Sequence, residues 1–181
     1  MNFTRRDWIL GSLGSTAWAA IAAAQEHAQK AVEQGGAGFE FFNTSAAADV
    51  AAIAAQILPS DDGPGAKEAG VIFFIDRALI MFDIDKQETY RIGLSGLNER
   101  RKTMFPGSES FAALPNPQQI ELLRTIEKSD FFELMRVHTL LGFLGSPSYG
   151  GNRGTVGWKY IGFEDRMVWE PPFGYYDAET K

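Results

Sequence analysis

The sequence predicts an all-α domain, a compact bundle of about five helices that ends in a Gly/aromatic-rich C-terminal loop and an extended arm. Three observations predict it. Apolar residues recur at three- and four-residue spacing in five separate stretches, and capping or breaking residues bound each stretch. No run alternates apolar and polar residues as a half-buried strand requires.

Residues 1–24 read as an export signal. Arg5 and Arg6 stand directly before Asp7-Trp8-Ile9-Leu10, a moderately apolar stretch runs to Ala24, and Ala22-Ala23-Ala24 offers a small-residue cleavage site. Gly11, Ser12, Gly14, Ser15 and Thr16 make the stretch too polar for the roughly 20 strongly apolar residues of a stable spanning helix. Paired arginines specify the twin-arginine (Tat) route, which moves folded proteins. The expected partner on that route is the Tat translocase, and the expected destination is the periplasm or the periplasmic face of the cytoplasmic membrane. An absence of cysteine fits a domain that folds before export and relies on packing rather than disulfides. It also removes a CxxCH haem site, a thiolate zinc site and an iron–sulfur cluster. Losing residues 1–24 removes two of 17 basic and one of 23 acidic residues, so the formal net charge moves from −6 to about −7. That balance, with no basic stripe, argues against nucleic acid and anionic lipid.

Residues 25–43 read as a tether, rich in Ala, Gln and Glu and closing on Gly35-Gly36-Ala37-Gly38, with order beginning near Phe39 to Phe42. The main domain spans 44–163. Asn43-Thr44-Ser45 caps a first helix that carries Val50, Ile53, Ala54, Ile57 and Leu58 and stops at Pro59. Ser60-Asp61-Asp62-Gly63-Pro64-Gly65 is a rigid turn into a second helix, about 66–82, apolar nearly all round and therefore central. Asp76 and Arg77 interrupt it, either as a catalytic or interfacial pair or, the favoured reading, as a structural hydrogen-bond or ion-pair network. A third helix, 85–103, places Tyr90, Leu94 and Leu97 inward and ends in Arg100-Arg101-Lys102, which suit the negative end of the helix dipole as a solvated terminus. Asn116-Pro117 opens a fourth helix with Ile120, Leu123 and Ile126 inside, and Ser129-Asp130 caps a fifth that carries Met135 and His138 on one face. With no second histidine and no cysteine in the ordered region, His138 reads as a satisfied core or interface residue rather than a ligand.

The stretch 145–163 is dense in glycine and aromatics, lacks the GK[ST] ending of a phosphate loop, and has no strand-GxGxxG-helix context. Its glycines allow close backbone approach while its aromatics supply contact area. The arm, 164–181, continues the theme with prolines that hold it extended. Partner contact is expected at Tyr149, Asn152, Trp158, Trp169, Pro172, Phe173 and Tyr175. No residue set in the chain resembles a catalytic, cofactor or metal site. Two other classes stay open: a sugar-binding module built on Tyr149, Asn152 and Trp158, and an acid–base enzyme using Asp61, Asp62, Asp76 or His138.

Ile57-Leu58-Pro59-Ser60-Asp61-Asp62-Gly63-Pro64-Gly65-Ala66, the apolar Ile72 to Leu79 helix, Phe131-Phe132 with Arg136-Val137-His138-Thr139, then Pro147 with Tyr149-Gly150-Gly151-Asn152 and Gly157-Trp158 follow one another in an order that resembles the gluconate 2-dehydrogenase subunit 3 family. The resemblance runs from about residue 40 to the C-terminus and extends to the twin-arginine signal. It implies a small subunit without a cofactor of its own. Its partners would be an FAD-dependent large subunit of the glucose-methanol-choline type, which oxidises a sugar or polyol hydroxyl, and a multihaem cytochrome c subunit that takes the electrons onward. The small subunit would escort the folded flavoprotein through the Tat pathway and stabilise it.

Overall fold

A computed structural model describes residues 38–166 and residue 168. Six α-helices make up the fold, with no strand among the described residues.

Helix α1, Thr44–Ile57, starts where Asn43 accepts the Ala46 N–H on its side-chain oxygen at 2.8 Å. It buries Ala47, Val50, Ile53 and Ala54 and ends two residues before Pro59, whose ring disfavours helical backbone at Leu58. Helix α2 spans Val71–Met81 and begins five residues later than the sequence suggests. Ala66–Gly70 instead form a separate turn closed by Val71 N–H to Ala66 C=O at 3.0 Å, with Gly70 at φ 64°, a left-handed conformation that glycine accepts without penalty. As expected, α2 is the central helix. It packs on α1 and, most extensively, on α5.

A 3-10 turn, Ile84–Lys86, leads into α3, Gln87–Met104, which buries Tyr90 and Leu97. The basic cluster at its end is not wholly solvated. Arg101 is buried, because its guanidinium satisfies the carbonyl and hydroxyl of Ser108 and the side chain of Asn98, where the chain folds back after Pro106. Helix α4, Asn116–Arg124, has its buried face rotated from expectation. Gln119, Leu122 and Leu123 point inward and Ile120 is exposed. The Gln119 amide explains the rotation, since it donates to the carbonyls of Phe111 and Leu114 and accepts from Gln56, work that only an inward position allows. Asn116 is the first helical residue and Pro115 the cap, and the Asn116 oxygen accepts from Gln56 rather than from its own helix.

Helix α5, Asp130–Leu144, is capped by Ser129, which accepts the Phe132 N–H at 3.2 Å. The following residues form helical turns rather than open loop: 3-10 turns at Pro147–Tyr149 and Arg153–Thr155, then α6, Val156–Tyr160. At the other end, order is present from Phe39, inside the stretch that composition assigns to the tether. Phe39 stacks on Phe73 with ring centroids 5.4 Å apart, and Phe42 is part of the core. No helix among the described residues is long and apolar enough to cross a membrane.

Candidate functional site

The four residues that could have served acid–base chemistry are not gathered. Asp61 and Asp62 lie exposed in the turn after α1. Asp76 is buried and accepts the backbone N–H groups of Glu40, Phe41 and Phe42 at 2.8, 3.1 and 3.0 Å, so its role is to anchor the chain start onto α2. Arg77 does not pair with it and instead donates to the Ser148 carbonyl. Among the described residues, no group of His, Cys, Asp and Glu side chains is arranged to hold a metal.

His138 is a satisfied core histidine. Nδ1 lies 2.9 Å from the Tyr90 hydroxyl and Nε2 lies 3.2 Å from Asp83 Oδ2. Burial, with Asp83 adding its charge, holds the Tyr90 phenol well above its ordinary range, so it stays protonated and donates to Nδ1. Nε2–H then donates to Asp83, which fixes the tautomer. Desolvation lowers the His138 pKa by more than the Asp83 carboxylate raises it, and the Lys86 charge adds to the lowering. An unfolded histidine titrates near its ordinary value of about 6.5. Between the two values the unfolded chain binds more protons, so this contribution is complete above about pH 6.5 and is lost as pH falls through the folded-state value. Urea titrations between pH 7.5 and 5 are expected to show falling stability, and His138→Gln is expected to flatten the slope. Asp49 has the opposite sign: burial raises its carboxyl despite the Ala112 N–H it accepts, so comparing wild type with the variant isolates the histidine.

The interface candidates divide. Tyr149 is 46% exposed and sets its ring edge-on against Phe82 at 5.9 Å. Trp158 is half-buried, donates Nε1–H to the Leu144 carbonyl at 2.6 Å and packs against Phe163. Asn152 contradicts the expectation of partner contact, being 0% exposed. Its amide accepts Gly157 N–H and donates to the Gly145 carbonyl, both at 2.9 Å, and so builds the 145–160 segment from within. This also removes the amide from the trio proposed for sugar binding. Trp169, Pro172, Phe173 and Tyr175, together with Arg5 and Arg6, lie outside the described residues.

Around Tyr149 the structure adds an apolar face that periodicity does not reveal. Met81, Phe82 and Ile84 at the end of α2 are exposed, as are Val137, Leu140, Leu141 and Leu144 on α5. The two sets meet along the α2–α5 seam, where His138 reaches Asp83 and Phe74 touches both Phe82 and His138. The one available signal was that α5 has apolar residues on more of its circumference than a single buried stripe requires. Isolated exposed apolar residues are ordinary, whereas several gathered near one seam are a feature that interaction surfaces share. Phe73 lines a groove of about 200 Å³ floored by alanines of α1.

Residues 44–165 match the family model described as Gluconate 2-dehydrogenase subunit 3. No curated protein and no solved structure gives a significant match to the chain.

Proposed function

The chain belongs to the gluconate 2-dehydrogenase subunit 3 family, and on that premise we propose that it is the non-catalytic small subunit of a periplasmic FAD-dependent sugar or alcohol dehydrogenase complex. Its task is to escort the folded flavoprotein subunit through the Tat pathway and to stabilise it afterwards. FAD belongs to the large, glucose-methanol-choline type subunit, and haem c to a cytochrome subunit that carries electrons onward. The observation that carries this reading is the exposed apolar face of Phe82, Tyr149 and the outer side of α5, in a domain where Asp76, Asp83 and His138 are each engaged in structural contacts. A flavin is acquired in the cytoplasm, so a carrier for it needs a route for folded cargo, and Arg5 and Arg6 supply the address.

The test is co-expression with the flavoprotein subunit, following dye-linked dehydrogenase activity in periplasm and cytoplasm. Arg5→Lys/Arg6→Lys is expected to leave the active pair in the cytoplasm. Phe82→Asp/Leu141→Asp, which sets two charges on the face, is expected to lower recovery of the flavoprotein with this chain by at least about tenfold, the scale of a lost interface anchor. Export and activity of the flavoprotein unchanged by both variants would overturn the proposal.

A further inference from the structure

Arg77 and Arg153 both reach the turn at 148–150, and among the described residues no carboxylate pairs with either. Arg77, exposed on α2, donates to the Ser148 carbonyl at 2.9 Å. Arg153, in the turn before α6, donates Nε–H to the Gly150 carbonyl at 3.2 Å and places its guanidinium carbon 3.5 Å from the centroid of the Phe73 ring. Among the described residues neither forms an ion pair. Desolvation first, and the like charge of Arg77 second, lower the Arg153 pKa, and no carboxylate opposes them. This pairing of like charges stands in a chain whose formal net charge is −6, where acidic side chains outnumber basic ones. Two cations held together with one partly out of water are unfavourable until an anion joins them.

Phe73 also belongs to the wall of the alanine groove. Ala48, Ala51, Ala52 and Ala55 of α1 form its floor, Phe39 and Phe73 its aromatic side, and Lys67 sits on its rim. Alanines here leave a mostly apolar trough with room for an apolar side chain. The arginine pair links the groove to the exposed face as one band: Arg153 lies over the Phe73 ring that walls the groove, and the Ser148 that Arg77 holds adjoins Tyr149, which touches Phe82.

We propose that this end of the band receives an acidic segment of the partner flavoprotein subunit, with a carboxylate bridging Arg77 and Arg153 and a neighbouring apolar or aromatic side chain seated in the alanine groove. The inference rests on the docking-face reading above and adds the chemistry of the partner segment. Guanidiniums suit a carboxylate because their planar fork can give it two parallel hydrogen bonds. A local pair of positive charges on a net acidic chain also favours one orientation of an acidic segment over the reverse.

The experiment measures affinity of the full chain for the purified flavoprotein subunit across a sodium chloride series. Arg77→Gln, at an exposed position and with its melting curve checked because the side chain holds the Ser148 carbonyl, is expected to weaken binding at low salt by at least about tenfold and to flatten the salt dependence. Arg153→Gln should do the same, with its melting curve checked because the side chain packs on Phe73. Ala51→Leu, which fills the groove, should weaken binding while leaving the salt slope as in wild type. Phe82→Asp reports on the docking face itself. If Phe82→Asp loses binding while Arg77→Gln and Arg153→Gln keep wild-type affinity or wild-type salt slope, the acidic-segment inference is wrong and the docking face stands. If Phe82→Asp also binds as wild type, the docking-face reading falls with it.

Discussion

Truncating Asp76 to alanine is expected to cost about 4 kcal/mol of folding stability, because three backbone donors lose a charged acceptor in a buried site. The carboxylate is 6% exposed and is the acceptor for the N–H groups of Glu40, Phe41 and Phe42. Each such bond to an ionised acceptor contributes about 1.5–3 kcal/mol, and water entering the gap recovers part of the loss. Asp76→Asn retains one oxygen but turns an amide N–H₂ toward donors, so about 2 kcal/mol is expected for it. The consequence is directional: the 39–42 segment loosens before the rest, and with it goes Phe42, which packs on Tyr90 at 5.7 Å. Urea unfolding measures the total, and hydrogen exchange at residues 40–42 measures the local part. A loss below about 1 kcal/mol for Asp76→Ala would show that the turn of backbone holds itself without the carboxylate. Because Phe39 walls the alanine groove, the same variant links the anchor to the proposed partner site.

What the sequence made legible and what it hid follow from the range of the interactions. Local devices read through. Asn43 and Ser129 act as helix caps, Pro59 stops α1, and the all-round apolar composition of α2 marks it as the central helix. His138 was readable as a satisfied core residue because it had no possible co-ligand. Long-range satisfaction did not read through. Gln119 faces inward because it serves carbonyls of a preceding loop, which rotates α4 away from the Ile120 stripe. Arg101 is buried by a chain reversal that periodicity cannot contain. The stretch 145–160 has loop composition, yet Asn152 organises it through bonds to Gly145 and Gly157 that depend on how α5 ends. Likewise, α5 has apolar residues on both sides, and only its packing on α2 decides which of them remain exposed.

Gly157→Ala is expected to detach the segment that presents Trp158, with a loss of about 3 kcal/mol in the local stability of residues 150–163. The α6 backbone lies directly against α5, and a Cβ at Gly157 would meet the Phe143 carbonyl oxygen far inside van der Waals contact. Backbone on both sides leaves no flexible side chain to give way, so α6 must shift. That shift breaks the Gly157 N–H to Asn152 bond of 2.9 Å and draws Trp158 from the Leu144 carbonyl it holds at 2.6 Å. Asn152 at φ 43° and Thr155 at φ 57° are strained positions that persist only while the surrounding contacts hold them. Losing one contact therefore releases the others together, and the expected transition is cooperative within the segment rather than a graded loosening. Gly96→Ala is the matched control: it lies within α3 with open space around its Cβ position, and the change is expected to be neutral or to stabilise by about 0.5–1 kcal/mol. Hydrogen exchange across 150–163, together with limited proteolysis, distinguishes local release from global unfolding. If the segment lies under the partner, Gly157→Ala also lowers flavoprotein recovery while the helical core keeps its melting transition. A Gly157→Ala chain that exchanges and assembles as wild type would mean that α6 can move aside without carrying Trp158 with it, and the backbone contact at Phe143 would then have no part in presenting Trp158.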